Sequence, residues 1–120
     1  MSSHLNTNLK LVEKPWGHEE WWALNEKYCA KILYIKHGHR LSLQYHEVKQ
    51  ETMRVMSGVL TFTYGSGASQ ETLLMRKGDV IHVPPSTVHR MEARDGDVYV
   101  IEVSTPEVDD VVRVSDDYGR

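Results

Sequence analysis

The sequence contains one cysteine, four prolines and no long apolar run. Cys29 cannot form an internal disulfide, and no activating base stands beside it, so its expected role is ordinary packing. A membrane-spanning helix needs about 20 mostly apolar residues in a row. The richest stretch, residues 98–103, is interrupted by Glu102. These absences argue against a disulfide-stapled domain, and we expect no membrane partner.

An excess of positive charge is absent as well. The chain has 14 Lys and Arg residues against 17 Asp and Glu residues, which gives a net charge of −3. Nucleic-acid binding needs a basic surface, so we expect no nucleic-acid partner. The first ten residues lack the apolar segment of a secretory signal, from which we expect a cytoplasmic location.

Short runs in which apolar and polar residues alternate fill most of the chain. A period of two is typical of strands with one buried face, and turn residues separate the runs at the spacing of a β-sandwich or barrel. We therefore predict one all-β domain over residues 14–120, preceded by residues 1–13 as a segment that could be loose. Helix is limited to one turn that residues 106–112 could form. The predicted strands lie near residues 20–24, 28–36, 41–46, 52–56, 59–64, 71–75, 80–83, 89–93 and 98–104.

The strand at residues 41–46 carries two potential metal ligands on one face. Because side chains alternate across a strand, Ser42, Gln44 and His46 share a face, opposite the three apolar residues between them. The imidazole and the amide oxygen thus point the same way. Taken alone, this strand could equally present a wet polar face to solvent.

Two longer patterns support a metal site. The order Gly38, Gln44, His46, Glu51, Gly58 is followed by Gly78, Pro84, Pro85 and His89. This spacing resembles the two signature motifs of the cupin superfamily, with Gln44 in place of the more usual first histidine. The resemblance implies a double-stranded β-helix (jelly-roll) barrel with a metal inside, and the matching ligands are Gln44, His46, Glu51 and His89.

Two imidazoles, one carboxylate and one amide oxygen suit one divalent ion, with Zn, Mn, Fe, Ni and Co all left open. A rival pair, His37 and His39, flanks a turn glycine and has no carboxylate at matching spacing. We interpret both as loop histidines. Some cupins have lost their metal and only bind small molecules, so a site without an ion remains the alternative.

Three further segments narrow the resemblance. They are Lys14-Pro15-Trp16-Gly17, residues 41–46 and the sequence DDVVRVSDDYGR at residues 109–120. Together they resemble the type II phosphomannose isomerase group of cupins, which includes the C-terminal domain of bifunctional mannose-1-phosphate guanylyltransferases. The nucleotidyltransferase domain of those enzymes does not fit in 120 residues, so nucleotidyl transfer is not expected of this chain. The enzymes continue from the metal glutamate with histidine and tryptophan, whereas Thr52 and Met53 follow Glu51 here, which bears on the choice of substrate.

The resemblance implies interconversion of mannose 6-phosphate and fructose 6-phosphate, or a related aldose/ketose isomerisation. Such a reaction needs a base, and Glu102 is our candidate because it shares a strand face with the apolar Val98 and Val100. The alternative is that Glu102 faces solvent or holds an arginine. For the phosphate we choose Arg113 and then Arg120, although salt bridges to nearby acids would also explain both arginines.

Two other function classes stay open. One is a non-catalytic cupin that binds a metal or a sugar, and the other is a metal-dependent oxygenase or lyase, because fold does not fix function. The partner that we expect is a small sugar or sugar phosphate. We also predict a homodimer that uses the strand at residues 20–24, with Trp21 and Trp22 at the interface.

Overall fold

The computed structural model describes residues 4–5 and 9–120. This part of the chain consists of strands and turns with a single 3₁₀ turn at Gly67–Ser69 and no α-helix. Within it no helix is long and apolar enough to cross a membrane. The strands are β1 (Lys10–Lys14), β2 (Gly17–Leu24), β3 (Cys29–Ile35), β4 (Leu43–Tyr45), β5 (Glu51–Ser57), β6 (Leu60–Tyr64), β7 (Glu71–Met75), β8 (Val80–Val83), β9 (His89–Glu92), β10 (Val98–Ser104) and β11 (Val112–Ser115).

The strands form two antiparallel sheets. One has six strands in the order β1-β2-β3-β10-β5-β8, and the other has five in the order β11-β4-β9-β6-β7. Their facing sides enclose one apolar core, to which the first sheet contributes residues such as Ile35 and Met53 and the second Leu60 and Phe62. The predicted all-β class is therefore confirmed.

Alternation along the strands decides which side chains face inward. In β10, Val98, Val100 and Glu102 are buried, while Tyr99, between the two valines, and Val103, directly after Glu102, are exposed. In β5 the first residue, Glu51, is buried in the same way. The period of two that builds the core thus also directs two carboxylates into the interior.

The two ends of the chain differ from the sequence expectation. Lys10–Lys14 form β1, which pairs with β2 along its whole length, so part of the segment expected before residue 14 belongs to the sheet. The domain boundary at residue 14 stays a prediction, and residues 1–3 and 6–8 lie outside the described residues. Residues 106–112 contain hydrogen-bonded turns and no helix, because their backbone groups close short turns such as Asp110 N–H to Glu107 O.

The glycine that ends the first motif has a clear steric reason. Gly58 has φ +82°, and a Cβ at this position would lie 2.3 Å from the carbonyl oxygen of Asp97. Only glycine tolerates this conformation and this close approach together. The turn between β5 and β6 therefore depends on it.

Candidate metal centre and cavity

Three of the four predicted ligands converge between the sheets. His46 follows β4, Glu51 begins β5 and His89 begins β9. The Nε2 atom of His89 lies 3.0 Å from Glu51 Oε1, and Nε2 of His46 lies 3.5 Å from Glu51 Oε2. One ligand atom from each residue lies within 4.8 Å of the other two, and the residues are only 4%, 2% and 1% exposed for His46, Glu51 and His89.

Backbone carbonyls fix the orientation of both imidazoles. His46 donates from Nδ1 to the carbonyl oxygen of Asp110, and His89 donates from Nδ1 to that of Thr87 at 2.9 Å. Because a carbonyl only accepts, each Nδ1 carries the proton, and in the neutral ring Nε2 presents a lone pair. Both Nε2 lone pairs point toward a carboxylate.

This arrangement fits a metal ion. His46 Nε2, His89 Nε2 and Glu51 Oε2 are buried without a hydrogen bond of acceptable geometry, although the ammonium of Lys49 lies 3.1 Å from Glu51 Oε2. Buried donors and acceptors are normally satisfied, and three converging lone-pair atoms are satisfied by one cation. Histidine ligands held through their other ring nitrogen by a carbonyl are typical of metal sites.

The charges of the three residues depend on one another. Burial would lower the pKa of His46, but the Glu51 carboxylate, 3.5 Å from Nε2, outweighs burial through its contact and its negative charge and raises that pKa. Burial would likewise raise the pKa of Glu51, yet the close contacts with the two imidazoles and the charge of Lys49 hold that pKa well below its usual range. Glu51 is therefore ionised and available as a ligand at neutral pH.

The fourth predicted ligand, Gln44, lies beside this set. It pairs with His89 across β4 and β9, and it lines the same cavity as His46. Its Oε1 accepts a hydrogen bond from Ser42 Oγ at 2.7 Å. The amide oxygen would have to share or exchange that bond to reach an ion, and ligation by Gln44 stays a prediction.

A cavity of about 290 Å³ opens next to the candidate metal centre. Its walls carry six cationic side chains and three carboxylates, in a chain whose net charge is −3. Such a local excess of positive charge favours an anionic ligand. The cations are Lys10, Lys14, Lys31, Lys49, Arg113 and Arg120, and the carboxylates are Glu19, Glu102 and Asp109.

Glu102 and Lys49 connect the cavity to the metal centre. Lys49 Nζ lies 3.3 Å from Glu102 Oε2 and 3.1 Å from Glu51 Oε2, and all three side chains are buried. Burial and the charge of Glu51 raise the pKa of Glu102, against the opposing effect of Lys49 and Lys31. Burial would lower the pKa of Lys49, but the two carboxylates raise it. Sequence reasoning placed Glu102 on the inner face and missed Lys49.

The two predicted phosphate-binding arginines differ in their surroundings. Arg113 is exposed on β11 opposite Gln44, and within the described residues it has no ion-pair partner. Arg120 binds Asp116 through Nε and a terminal nitrogen, each at 3.1 Å. Both line the cavity, but only Arg113 has a guanidinium that no acid holds.

Thr52 and Met53, the two residues that depart from the family motif after Glu51, face opposite sides of β5. Thr52 lies on the outer face, where its hydroxyl is 3.1 Å from Nδ1 of His82. Met53 is fully buried in the core beside Glu102 across β5 and β10. Only the change at Met53 therefore faces the interior that holds the candidate site.

Trp21 belongs to the cavity. Its Nε1 donates to Glu19 at 2.8 Å, and Lys10 and Lys31 lie 4.8 and 4.3 Å from its ring centre. The strand that carries it, β2, is paired on both sides, by β1 and β3. The free edge that suggested a dimer through residues 20–24 is therefore absent, and Trp22 remains 40% exposed.

Comparisons with known proteins agree with this architecture. A family model described as mannose-6-phosphate isomerase C-terminal matches residues 2–116. The mannose-1-phosphate guanylyltransferase ManC of Salmonella typhimurium is 33% identical over 114 residues, which is 91% of this chain and 23% of that protein. The chain thus spans less than a quarter of this relative's length.

Solved structures show the same fold at low identity. The capsular polysaccharide assembling protein CapF of Staphylococcus aureus matches with a TM-score of 0.78 and 17% identity, covering 89% of this chain and 34% of CapF. Oxalate decarboxylase of Bacillus subtilis, a protein with Mn(II) centres, matches with a TM-score of 0.74 and 18% identity, covering 88% of this chain and 30% of that one. The fold is the double-stranded β-helix.

Proposed function

The chain belongs to the family of mannose-6-phosphate isomerase C-terminal domains, and from that premise we propose that it is a metal-dependent sugar-phosphate isomerase. Mannose 6-phosphate and fructose 6-phosphate are the first pair to test. The observation that carries the proposal is that the converging ligand atoms of His46, Glu51 and His89 adjoin a cation-lined cavity, and that Nε2 of both histidines is buried without a hydrogen bond. Lys49 connects the candidate metal centre to the cavity, because it contacts Glu51 in the first and Glu102 in the second.

His46, Glu51 and His89 would hold one divalent ion of the type Zn, Mn, Fe, Ni or Co, with Gln44 as the fourth ligand. When bound, the ion supplies positive charge that stabilises the oxygens of an enediolate. The protein's part is to keep both imidazoles in the tautomer whose Nε2 is free. The carbonyls of Asp110 and Thr87 do this.

Glu102 would act as the general base. From the aldose, its carboxylate removes the C2 proton, the C–H electron pair forms the C1–C2 double bond, and the carbonyl oxygen becomes the enediolate oxygen. The same carboxyl group returns the proton to C1, while the proton on O2 passes to O1, which gives the ketose. Lys49 holds Oε2 of Glu102 at 3.3 Å, so that one oxygen is positioned and the other is left for the substrate.

Arg113 would bind the phosphate group first. Its guanidinium has no acid partner in residues 9–120, and its planar fork matches two phosphate oxygens. Arg120 would join after loosening its contacts to Asp116. The lysines on the cavity wall add an attraction that does not depend on a particular geometry.

A second candidate function is a non-catalytic cupin that binds a metal or a sugar. Two groups that catalysis would use are already held in ion pairs, because Glu102 is bound to Lys49 and Arg120 to Asp116. This pairing favours the non-catalytic candidate. The family match does not distinguish the two candidates. It covers the C-terminal part of relatives named as guanylyltransferases, whose whole activity cannot be transferred to this chain.

A coupled assay of mannose 6-phosphate and fructose 6-phosphate, with and without each divalent metal, tests the proposal. We expect turnover that requires a metal and falls at least about 100-fold in Glu102→Gln, the low end of the range for loss of a general base. Glu26→Gln, in the exposed turn after β2, is the matched control. Metal-loaded protein that binds sugar phosphates without converting any of them would favour the second candidate, and oxygen consumption would point to an oxygenase.

A further inference from the structure

The outer face of the six-stranded sheet carries a symmetric row of side chains. Alternation places them outward, because their neighbours in the same strands, such as Glu19, Lys31 and Glu102, line the cavity on the other face. In cross-strand register, from β1 to β8, the row reads Leu11, Glu20, Ile32, Ile101, Arg54 and Val80. From one end to the other, the row therefore consists of an apolar residue, an acidic residue, two isoleucines, a basic residue and a second apolar residue.

The side chains of the row are exposed to the degree expected when no other part of the chain covers them. Leu11 and Val80 at its ends are 61% and 58% exposed, and the two central isoleucines are only half-buried. Glu20 and Arg54 have no ion-pair partner within the described part of the chain. Large apolar side chains and unpaired charges thus lie side by side on the outer face of this sheet.

The neighbouring rows keep the centre of the face apolar. On one side Tyr34 pairs with Tyr99, with ring centres 5.1 Å apart, and on the other side Ala30, which is buried, pairs with Val103, which is 48% exposed. These four residues flank the isoleucine pair on the same two strands, β3 and β10. The apolar patch therefore lies in the middle of the six-stranded sheet.

We propose that a second copy of this chain covers this face, related by a two-fold axis that runs parallel to the strands between β3 and β10. A rotation about that axis exchanges the two halves of the row. It sets Glu20 opposite the partner's Arg54, Ile32 opposite the partner's Ile101 and Leu11 opposite the partner's Val80. A row that reads acid–apolar–base about its centre is complementary to itself only under this operation.

The size of the face fits a dimer. Six strands about 4.8 Å apart and about seven residues long, at about 3.3 Å per residue, give a projected area on the order of 600 Å². Stable interfaces bury about 800 Å² of accessible surface per partner, and side-chain relief brings the accessible surface above the projection. Stacked sheets align to within about 30°, which keeps the central pairs in contact. The cavity opens on the opposite face of the sheet and stays accessible.

Light scattering and analytical ultracentrifugation on the whole chain test the proposal. We expect twice the 13.8 kDa chain mass at micromolar concentration. Arg54→Glu places like charges opposite each other at two symmetric positions, and Glu20→Arg does the same, so each should weaken the dimer at least about tenfold. The double variant Glu20→Arg/Arg54→Glu restores opposite charges and should recover most of the affinity.

Arg76→Glu, in the exposed turn between β7 and β8, is the charge-matched control and should leave the dimer unchanged. A monomeric parent at 100 μM overturns the proposal. A dimer that survives both single reversals shows that another face is used, and failure of the double variant to recover overturns the two-fold register. Far-ultraviolet circular dichroism confirms that each variant is folded.

Discussion

Asp110 holds His46 in place through its main chain and holds the segment after His46 through its side chain. The carbonyl oxygen of Asp110 accepts the Nδ1 proton of the imidazole. Its carboxylate accepts the backbone N–H groups of Glu47, Val48 and Lys49 at 3.1, 2.7 and 2.9 Å. One residue therefore sets the ring orientation of a candidate ligand and the path of the chain toward Glu51.

Removing the Asp110 carboxylate should weaken metal binding without touching a ligand. Asp110→Ala frees three backbone N–H groups, so the turn that carries His46 loosens and its ring samples other orientations. Outer partners of metal ligands commonly change affinity by about 10–100-fold, and we expect a loss in that range by chelator competition. Asp95→Ala, in the loop before β10, is the control and should bind like the parent. Equal affinity of Asp110→Ala and the parent would show that the turn is held by other contacts.

Replacement of the candidate ligands should separate the metal centre from the rest of the fold. His46→Ala or His89→Ala removes one of three converging donors, and the metal content of purified protein should fall to background. Gln44→His should retain or tighten binding, because imidazole is the stronger ligand for a transition ion. His39→Ala, in the loop after β3, is the matched histidine control. Full metal content in both ligand variants would place the ion elsewhere.

The sequence predicted three residues that lie together in the structure, but not the residues that support them. The resemblance to the cupin motifs named His46, Glu51 and His89, and the structure brings these side chains together, while their ligation of a metal stays a prediction. Lys49 and Asp110 could not be found in this way, since their partners Glu102 and His46 lie 53 and 64 residues away in the chain. Strand β1 was missed for a similar reason. Its sequence KLVEK has no clear apolar face, and backbone pairing with β2 defines it.

Lys49 should be essential for stability because it neutralises two buried carboxylates. Lys49→Met leaves Glu51 and Glu102 facing each other without a cation. Removal of one partner from a buried ion pair costs about 3–5 kcal/mol, and we expect a loss of that order in urea unfolding of metal-free protein. Lys27→Met, at an exposed position, is the matched control. Adding Glu102→Gln to Lys49→Met should recover part of the loss, and a strictly additive further loss would argue against direct coupling.

The salt bridge between Asp116 and Arg120 should give stability with a defined pH dependence. Hydrogen bonds from Arg120 lower the pKa of Asp116 from 3.8 to about 2. Above about pH 5 the carboxyl is ionised in both folded and unfolded chains, and the full stabilisation is present. As the pH falls toward 2 the unfolded chain takes up the proton first, so the stabilisation is lost. The unfolding free energies of the parent and Asp116→Asn should therefore differ at pH 7 and converge between about pH 5 and pH 2, and a constant difference would contradict the assignment.

Arg113 offers the sharpest test of the substrate's charge, because it is the cavity arginine without an acid partner in residues 9–120. Arg113→Lys keeps the positive charge but cannot present two parallel N–H donors to a phosphate. We expect KM for the sugar phosphate to rise about tenfold, which corresponds to about 1.4 kcal/mol of lost binding, while kcat changes much less. Binding of the same sugar without phosphate should be unaffected, since no phosphate oxygens are then available to the fork. Arg76→Lys, on the exposed turn before β8, is the matched control. Unchanged kinetics for every sugar phosphate that the protein accepts would remove Arg113 from the site and leave Arg120 as the phosphate-binding arginine to examine.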